Sequence, residues 1–272
     1  MSRVMIPASF YQQFDADFSR EVPAEGFAGW QREEIPLALE HTGVVVMHAW
    51  DCGQEGEYPG WWRAAEEIPR SYEICRTVLP PLLAAVREAG LALFHVVGGG
   101  DYYREMPGYH RAVELAGPPP PAPETVSWDP VREELNRFHA DRVFPGAGNI
   151  GEVAAGWRRL DFHEQTRPEG EEGVAQDGRQ LFALCRQAGV NHLIYAGFCL
   201  NWCLLMSPGV MLEMSRRGVL CSAFRQATVA VERKETARGE LNKEEGLWRV
   251  SVEFGFVFDV DDFLGALKRD QP

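Results

Sequence analysis

Apolar positions along this chain recur with two periods, and the two alternate. The stretch from His41 to Trp50 carries Val44, Val45, Val46 and Met47 in one short β-branched run, closed by turn material at Asp51, Cys52 and Gly53, and it reads as a buried strand. From Glu66 to Ala89 the spacing becomes helical, with Ile68, Tyr72, Cys75, Val78/Leu79, Leu82/Leu83 and Val86 on one stripe; Pro80 and Pro81 kink or split this helix and Gly90 stops it. Leu91 to Val97 is a second buried strand, ended by Gly98, Gly99 and Gly100. After an irregular stretch the pattern resumes as a helix over Gly178–Ala188, a strand over His192–Gly197, a helix over Trp202–Arg217, a strand over Val219–Phe224, and a closing acid-capped helix over Asp259–Lys268.

Strand–helix–strand alternation predicts an α/β protein: a three-layer α/β/α sandwich around a central, mostly parallel, Rossmann-like sheet. The whole of 1–272 is expected to be a single domain. Residues 1–41, rich in aromatics and acids, are expected to form an extended arm packed on its own domain or on a neighbouring subunit. Residues of about 100–170 contain the prolines 118–121 and the Pro145–Gly148 turn material; they are expected to be an insertion with one helix near Pro130–Ala140, serving as a lid or a subunit contact.

Charge narrows the function classes. Lys+Arg number 27 against 40 Asp+Glu, a net charge of −13, which disfavours nucleic acid and anionic membrane surfaces as partners. The apolar stretch from Leu193 to Met206 is interrupted by Gly197, Asn201 and cysteines and is too short to span a bilayer, and the N-terminus carries no leader-like apolar core. The expectation is a cytoplasmic protein with reduced thiols, acting on a small molecule, with no cofactor and no metal. Cys199 and Cys203 are spaced C-x3-C, without a second Cys/His pair at zinc-ribbon spacing and without the spacing of a thioredoxin-type redox pair.

Chemistry concentrates in Gly189–Cys203. A buried strand ends at Gly197, a tight loop comes next, and Cys203 opens the next helix. Sites in parallel sheets form at the carboxyl ends of strands. A thiol at a helix N-terminus is expected to lose its proton more readily, and the amides of the Leu200–Cys203 loop are placed to hold an oxyanion. The bland alternative is a helix-start cysteine that only packs.

On these residues the chain resembles the isochorismatase-like cysteine hydrolases. In that pattern a strand runs into G-x-x-T-x-x-C; Gly197 matches the glycine, Leu200 stands at the threonine and Cys203 at the nucleophile. The helix end Leu184–Gly189, the Ser215–Leu220 run and the ending Phe258–Leu267 fit as well. The resemblance covers the strands near 44–50 and 91–97 and most of 178–267. It implies a Cys attack on an amide-type C–N or ester bond, a cis peptide at Cys199–Leu200, and a homo-oligomer.

Departures from the pattern bear on mechanism. The family's Asp–Lys–Cys triad takes its Asp from the end of the first strand, where His48 stands here, with Asp51 three residues on. The family Lys falls near Gly170–Glu172, yet the three lysines, Lys234, Lys243 and Lys268, all lie near the C-terminus. The D-x-H metal pattern of the nicotinamidase branch is replaced by Gly98–Tyr103. His48 or Asp51 is therefore the candidate proton carrier, and Glu171 or Glu172 the candidate orienting acid. Substrate-binding candidates are His95, Asp101, Trp50, Tyr102, Trp202, Cys199 and Leu200. The alternative to an enzyme is a family relative that kept the fold, lost the triad, and binds a small molecule or serves structurally.

Overall fold

The computed structural model describes residues 3–270. Its strands are β1 (Arg3–Gln12), β2 (Gly29–Ala38), β3 (Thr42–Met47), β4 (Trp50–Asp51), β5 (Ala92–Val96), β6 (Asp161–Phe162), β7 (Gly173–Ala175), β8 (His192–Gly197), β9 (Leu220–Thr228) and β10 (Val257–Phe258). Its helices are α1 (Pro59–Ala64), α2 (Ile68–Thr77), α3 (Leu79–Glu88), α4 (Pro107–Ala116), α5 (Pro130–Arg142), α6 (Ile150–Arg159), α7 (Gly178–Ala188), α8 (Cys203–Met206), α9 (Met211–Ser215), α10 (Leu241–Glu253) and α11 (Val260–Asp270).

Eight strands form one sheet in the order β2-β1-β10-β9-β8-β3-β5-β7. From β10 to β7 every neighbouring pair is parallel. Alternation along β3 splits the core in two, because successive side chains point to opposite faces. Val44 and Val46 pack with Leu79, Leu82, Leu83 and Phe263 of the α3/α11 layer. Val45 and Met47 pack with Leu181, Met211 and Leu247 of the α7/α9/α10 layer. The arrangement is the expected α/β/α sandwich with a mostly parallel sheet.

Local chemistry explains the well-predicted elements. Helix α7 starts where the Asp177 side chain accepts from the Gln180 amide and stops at Gly189, whose left-handed conformation ends the helix. The long predicted helix over 66–89 is divided at Val78, with Pro80 and Pro81 in the first turn of α3, where a missing N–H costs nothing.

The N-terminal arm takes the form of a β-hairpin on its own domain: β1 and β2 pair antiparallel along their length, and β1 joins the sheet through β10. Three expectations are corrected. The 100–170 segment holds three helices, α4, α5 and α6, rather than one. The predicted helix over 202–217 is two short helices, broken at Ser207, Pro208 and Gly209, where proline cannot continue a helix. The last core strand continues to Thr228, and α10 and β10 come after it.

Candidate active site

Strands β3, β5 and β8 lie side by side and end together, at Met47, Val96 and Gly197. The loops leaving these three strand ends line one cavity of about 540 Å³: His48 and Trp50 after β3, Val97, Gly98 and Gly99 after β5, and Phe198, Cys199, Trp202 and Cys203 after β8. Gly197 has φ +118°, and a Cβ there would lie 1.9 Å from the Met47 carbonyl oxygen, so only glycine lets β8 turn this close to β3. His48 also leaves its strand in the left-handed region, at φ +52°. For a residue other than glycine this is uncommon, and it concentrates at functional sites.

The remaining walls come from helices that the sequence left obscure. Trp61 and Ala65 of the α1 region, Glu67, Ile68 and Ser71 around the start of α2, and Phe144, Val153 and Trp157 of the insertion line it as well, with Cys52, Gln176, Ser207 and Pro208. Trp157 sets its ring edge-to-face on Trp50 at 5.1 Å and on Trp61 at 5.9 Å. Gly156 makes that approach possible: a Cβ there would lie 1.6 Å from the Trp61 ring. Phe144 meets Trp202 edge-to-face at 5.7 Å. The insertion is stitched to the loop after β3 by the β4–β6 ribbon and by the His163 amide donating to the Ala49 carbonyl. It thus forms a wall of the cavity.

The polar groups in this aromatic enclosure are few and poorly satisfied. His48 is 8% exposed and stacks on Trp50 at 4.3 Å. Its Nδ1 is buried with no hydrogen-bond partner, and burial pushes its pKa down to about 3, so the imidazole is neutral. Glu67 immediately precedes α2 but makes no side-chain cap. It turns instead toward the cysteine loop, where its Oε1 accepts from the Cys199 thiol at 3.5 Å. Its Oε2 is buried without a partner. Burial raises the Glu67 carboxyl above its ordinary range.

Cys203 is half-buried, while the other five thiols are buried; all six are free. Burial and the Glu67 charge push its thiol up, against the Cys199 amide and the Ser207 hydroxyl, which hold it down. The expected helix-dipole activation is corrected by this geometry. Helix α8 runs only from Cys203 to Met206, too short to sum a useful dipole. The expected oxyanion loop is corrected in part: the Leu200 amide donates to the Val229 carbonyl at 2.7 Å and the Trp202 amide to the Cys199 carbonyl at 3.2 Å, so both are committed to the backbone. The cis peptide lies at Phe198–Cys199, one bond before the expected Cys199–Leu200.

Of the residues singled out from the sequence, Cys203, His48, Trp50, Trp202 and Cys199 meet in the cavity. The others do not line it. Asp51 accepts from the Gly53 amide at 2.9 Å and the Tyr72 hydroxyl at 2.8 Å and pairs with Arg159 at 3.3 Å. Burial raises its carboxyl, but these three partners win and hold it below the ordinary range, as an ionised turn anchor. Glu171 and Asp101 are exposed. Leu200 is fully buried against Gly246 of α10, serving the core. His95 is 2% exposed, and its Nε2 meets Glu172 at 2.9 Å; Glu172 also receives Arg87 at 2.6 Å. Tyr102 stands behind the cavity wall, accepting the Trp50 indole N–H at 2.8 Å.

Trp61, one of the aromatic residues flanking the strand ends, also lines the cavity, whereas Glu67, Phe144, Val153 and Trp157 carry no sequence signal that points to the site. Glu67, an acid immediately before a helix start at Ile68-Pro69, reads first as a helix cap. Among the described residues, no cluster of three His, Cys, Asp or Glu is arranged to hold a metal, and no helix is long and apolar enough to cross a membrane.

No family model matches this sequence, and no curated protein does. Among solved structures the chain is similar to a cysteine hydrolase from Pseudomonas syringae pv. phaseolicola, with 13% identity, 86% of this chain and 95% of that one covered, and a TM-score of 0.47. It is also similar to an isochorismatase-like hydrolase from Alkaliphilus metalliredigens, with 14% identity, 83% and 98% covered, and a TM-score of 0.44. A third is an isochorismatase family protein from Desulfovibrio vulgaris, with 16% identity, 84% and 99% covered, and a TM-score of 0.42.

Proposed function

We propose that this protein is a cysteine hydrolase that cleaves an ester or amide-type C–N bond of a small molecule, with Cys203 as nucleophile. The observation that carries the proposal is a single cavity at the carboxyl ends of three parallel strands, lined by Cys203, Glu67 and His48, of which Glu67 Oε2 and His48 Nδ1 are buried without a hydrogen-bond partner. Unpaired buried polar atoms cost stability, and native proteins keep them where a ligand or reaction uses them.

The chemistry is set by relative basicity. His48 titrates near 3, far below the Cys203 thiol, whose pKa lies above its ordinary value of 9.0, so a thiolate–imidazolium pair is strongly uphill. Glu67 is the better-matched proton acceptor, because its carboxyl is shifted upward. The Cys203 sulfur attacks the carbonyl carbon as the thiol proton passes to Glu67. The tetrahedral intermediate collapses, the leaving oxygen or nitrogen takes that proton, and a thioester remains. A water gives a proton to Glu67 as it attacks the thioester, and the proton returns to the departing sulfur. Neutral His48 offers a hydrogen bond that positions the substrate carbonyl or the water.

The test is hydrolysis of a panel of p-nitrophenyl esters and p-nitroanilides by the wild type and by Cys203→Ala. Turnover that falls by about 10³-fold or more in the variant is expected. Turnover unchanged in Cys203→Ala overturns the mechanism. A binding protein without turnover is the second reading, favoured by the raised thiol; it predicts ligand binding in both proteins and hydrolysis in neither.

A further inference from the structure

The walls of the cavity and its few charges narrow the ligand beyond the reaction type. Four tryptophans, Trp50, Trp61, Trp157 and Trp202, together with Phe144, enclose it. Where they touch, Trp157 meets Trp50 and Trp61, and Phe144 meets Trp202, edge-to-face. Among the described residues, the lining includes no Lys and no Arg. The one acidic residue in the lining is Glu67. The chain as a whole carries 13 more acids than bases. A ligand carboxylate or phosphate would find no counter-charge here and would face Glu67, a juxtaposition that like charges and desolvation oppose. A ligand cation would find both things that stabilise a desolvated positive charge, aromatic faces and a carboxylate.

We propose that the substrate carries an organic ammonium group, held in the aromatic enclosure of Trp50, Trp157 and Trp202 with Glu67 as its counter-ion. This deepens the hydrolase reading by naming the substrate class, an ester or amide of an organic cation. The bound charge also supplies what the chain's own residues withhold: no lysine or arginine lines the cavity to favour the Cys203 thiolate, and a cation beside it does so for the substrate that carries it. Glu67 lines the same cavity as Cys199 and Cys203, and its Oε2 has no hydrogen-bond partner.

Binding separates this inference from the hydrolase reading, because it is measured without turnover. Three molecules of one shape serve as probes: choline, its uncharged carbon isostere 3,3-dimethylbutan-1-ol, and the anion 3,3-dimethylbutanoate. Each is titrated into the wild-type protein and into Cys203→Ala by calorimetry and by tryptophan fluorescence. Choline is expected to bind about tenfold or more tightly than the alcohol, with the anion weakest, and equally well in both proteins. Glu67→Gln, which keeps the shape and removes the charge, is expected to bring the choline preference down to about twofold, and Trp202→Leu to weaken choline more than the alcohol. Equal affinities, a preference for the anion, or no binding of any probe overturns the inference, and this comparison is complete with the wild type alone. Selective choline binding without ester hydrolysis would retire the hydrolase reading and leave the cation site standing.

Discussion

His48 directly follows β3 and His95 lies on the neighbouring parallel strand β5; both are buried, and burial lowers both pKa values. Their surroundings differ. His95 is tied to Glu172, which Arg87 holds from the other side, and Glu172 accepts the Glu169 amide as well. Burial would push the Glu172 carboxyl up, yet these partners hold it at about 2. Every member of that network has company, and nothing there awaits a ligand. His48 has a stacked Trp50 and a bare Nδ1, and Glu67 across the same cavity has a bare Oε2. A satisfied buried network locks the end of β5 in place, whereas an unsatisfied one keeps capacity in reserve for chemistry.

The contrast breaks most visibly with pH. His48 is neutral in the folded protein down to about 3, while in the unfolded chain it takes a proton below its ordinary 6.5. Its contribution to stability is complete above 6.5 and is lost as pH falls toward 3, because only the unfolded state binds the proton in that window. Between pH 6.5 and 4.5 this single group removes roughly 2 kcal/mol. His48→Asn, which tolerates the left-handed backbone, is expected to lose correspondingly less over that interval in urea unfolding. An unchanged pH dependence would mean that His48 has a hidden partner and that the two histidines are alike.

The two carboxylates sharpen the comparison at smaller amplitude. Glu67→Gln is expected to lower ester turnover by about 10²-fold while leaving stability equal or higher, since it removes a buried, under-satisfied charge. Glu172→Gln is expected to do the reverse. It leaves turnover nearly intact and costs about 2 kcal/mol of stability, because Arg87 and His95 lose a charged acceptor. That penalty is present above about 4.5 and fades as pH falls toward 2, where wild-type Glu172 is itself protonated. Swapped outcomes would assign the reaction to the His95 network instead.

The parallel core was legible because both of its periods are strong. Val44–Met47 and Leu193–Ala196 are continuous apolar runs buried on both faces, as parallel strands require. The hairpin was obscure because Pro7 and Pro36 interrupt its alternation and its outer strand carries Arg32, Glu33 and Glu34 toward solvent. Helix α5 was legible through Asp129 and Pro130, a cap and first-turn pair, although it buries none of its residues. Cys203 and His48 were legible because each follows a readable strand, His48 directly after β3 and Cys203 at the start of the helix beyond the loop that leaves β8. Glu67 was not, because its significance comes from meeting Cys199 across 132 residues of chain, and local pattern holds no trace of that meeting.

The central claim is that the Cys203 sulfur forms a bond to its substrate inside the aromatic cavity. Peptide-mapped mass spectrometry after acid quenching of a p-nitrophenyl ester reaction tests it directly. The account predicts an acyl mass on the peptide containing Cys203, at that residue and not at Cys199, appearing on mixing and decaying as product accumulates. Product formed with Cys203 unmodified at every quench time, and in equal yield by Cys203→Ala, would contradict it.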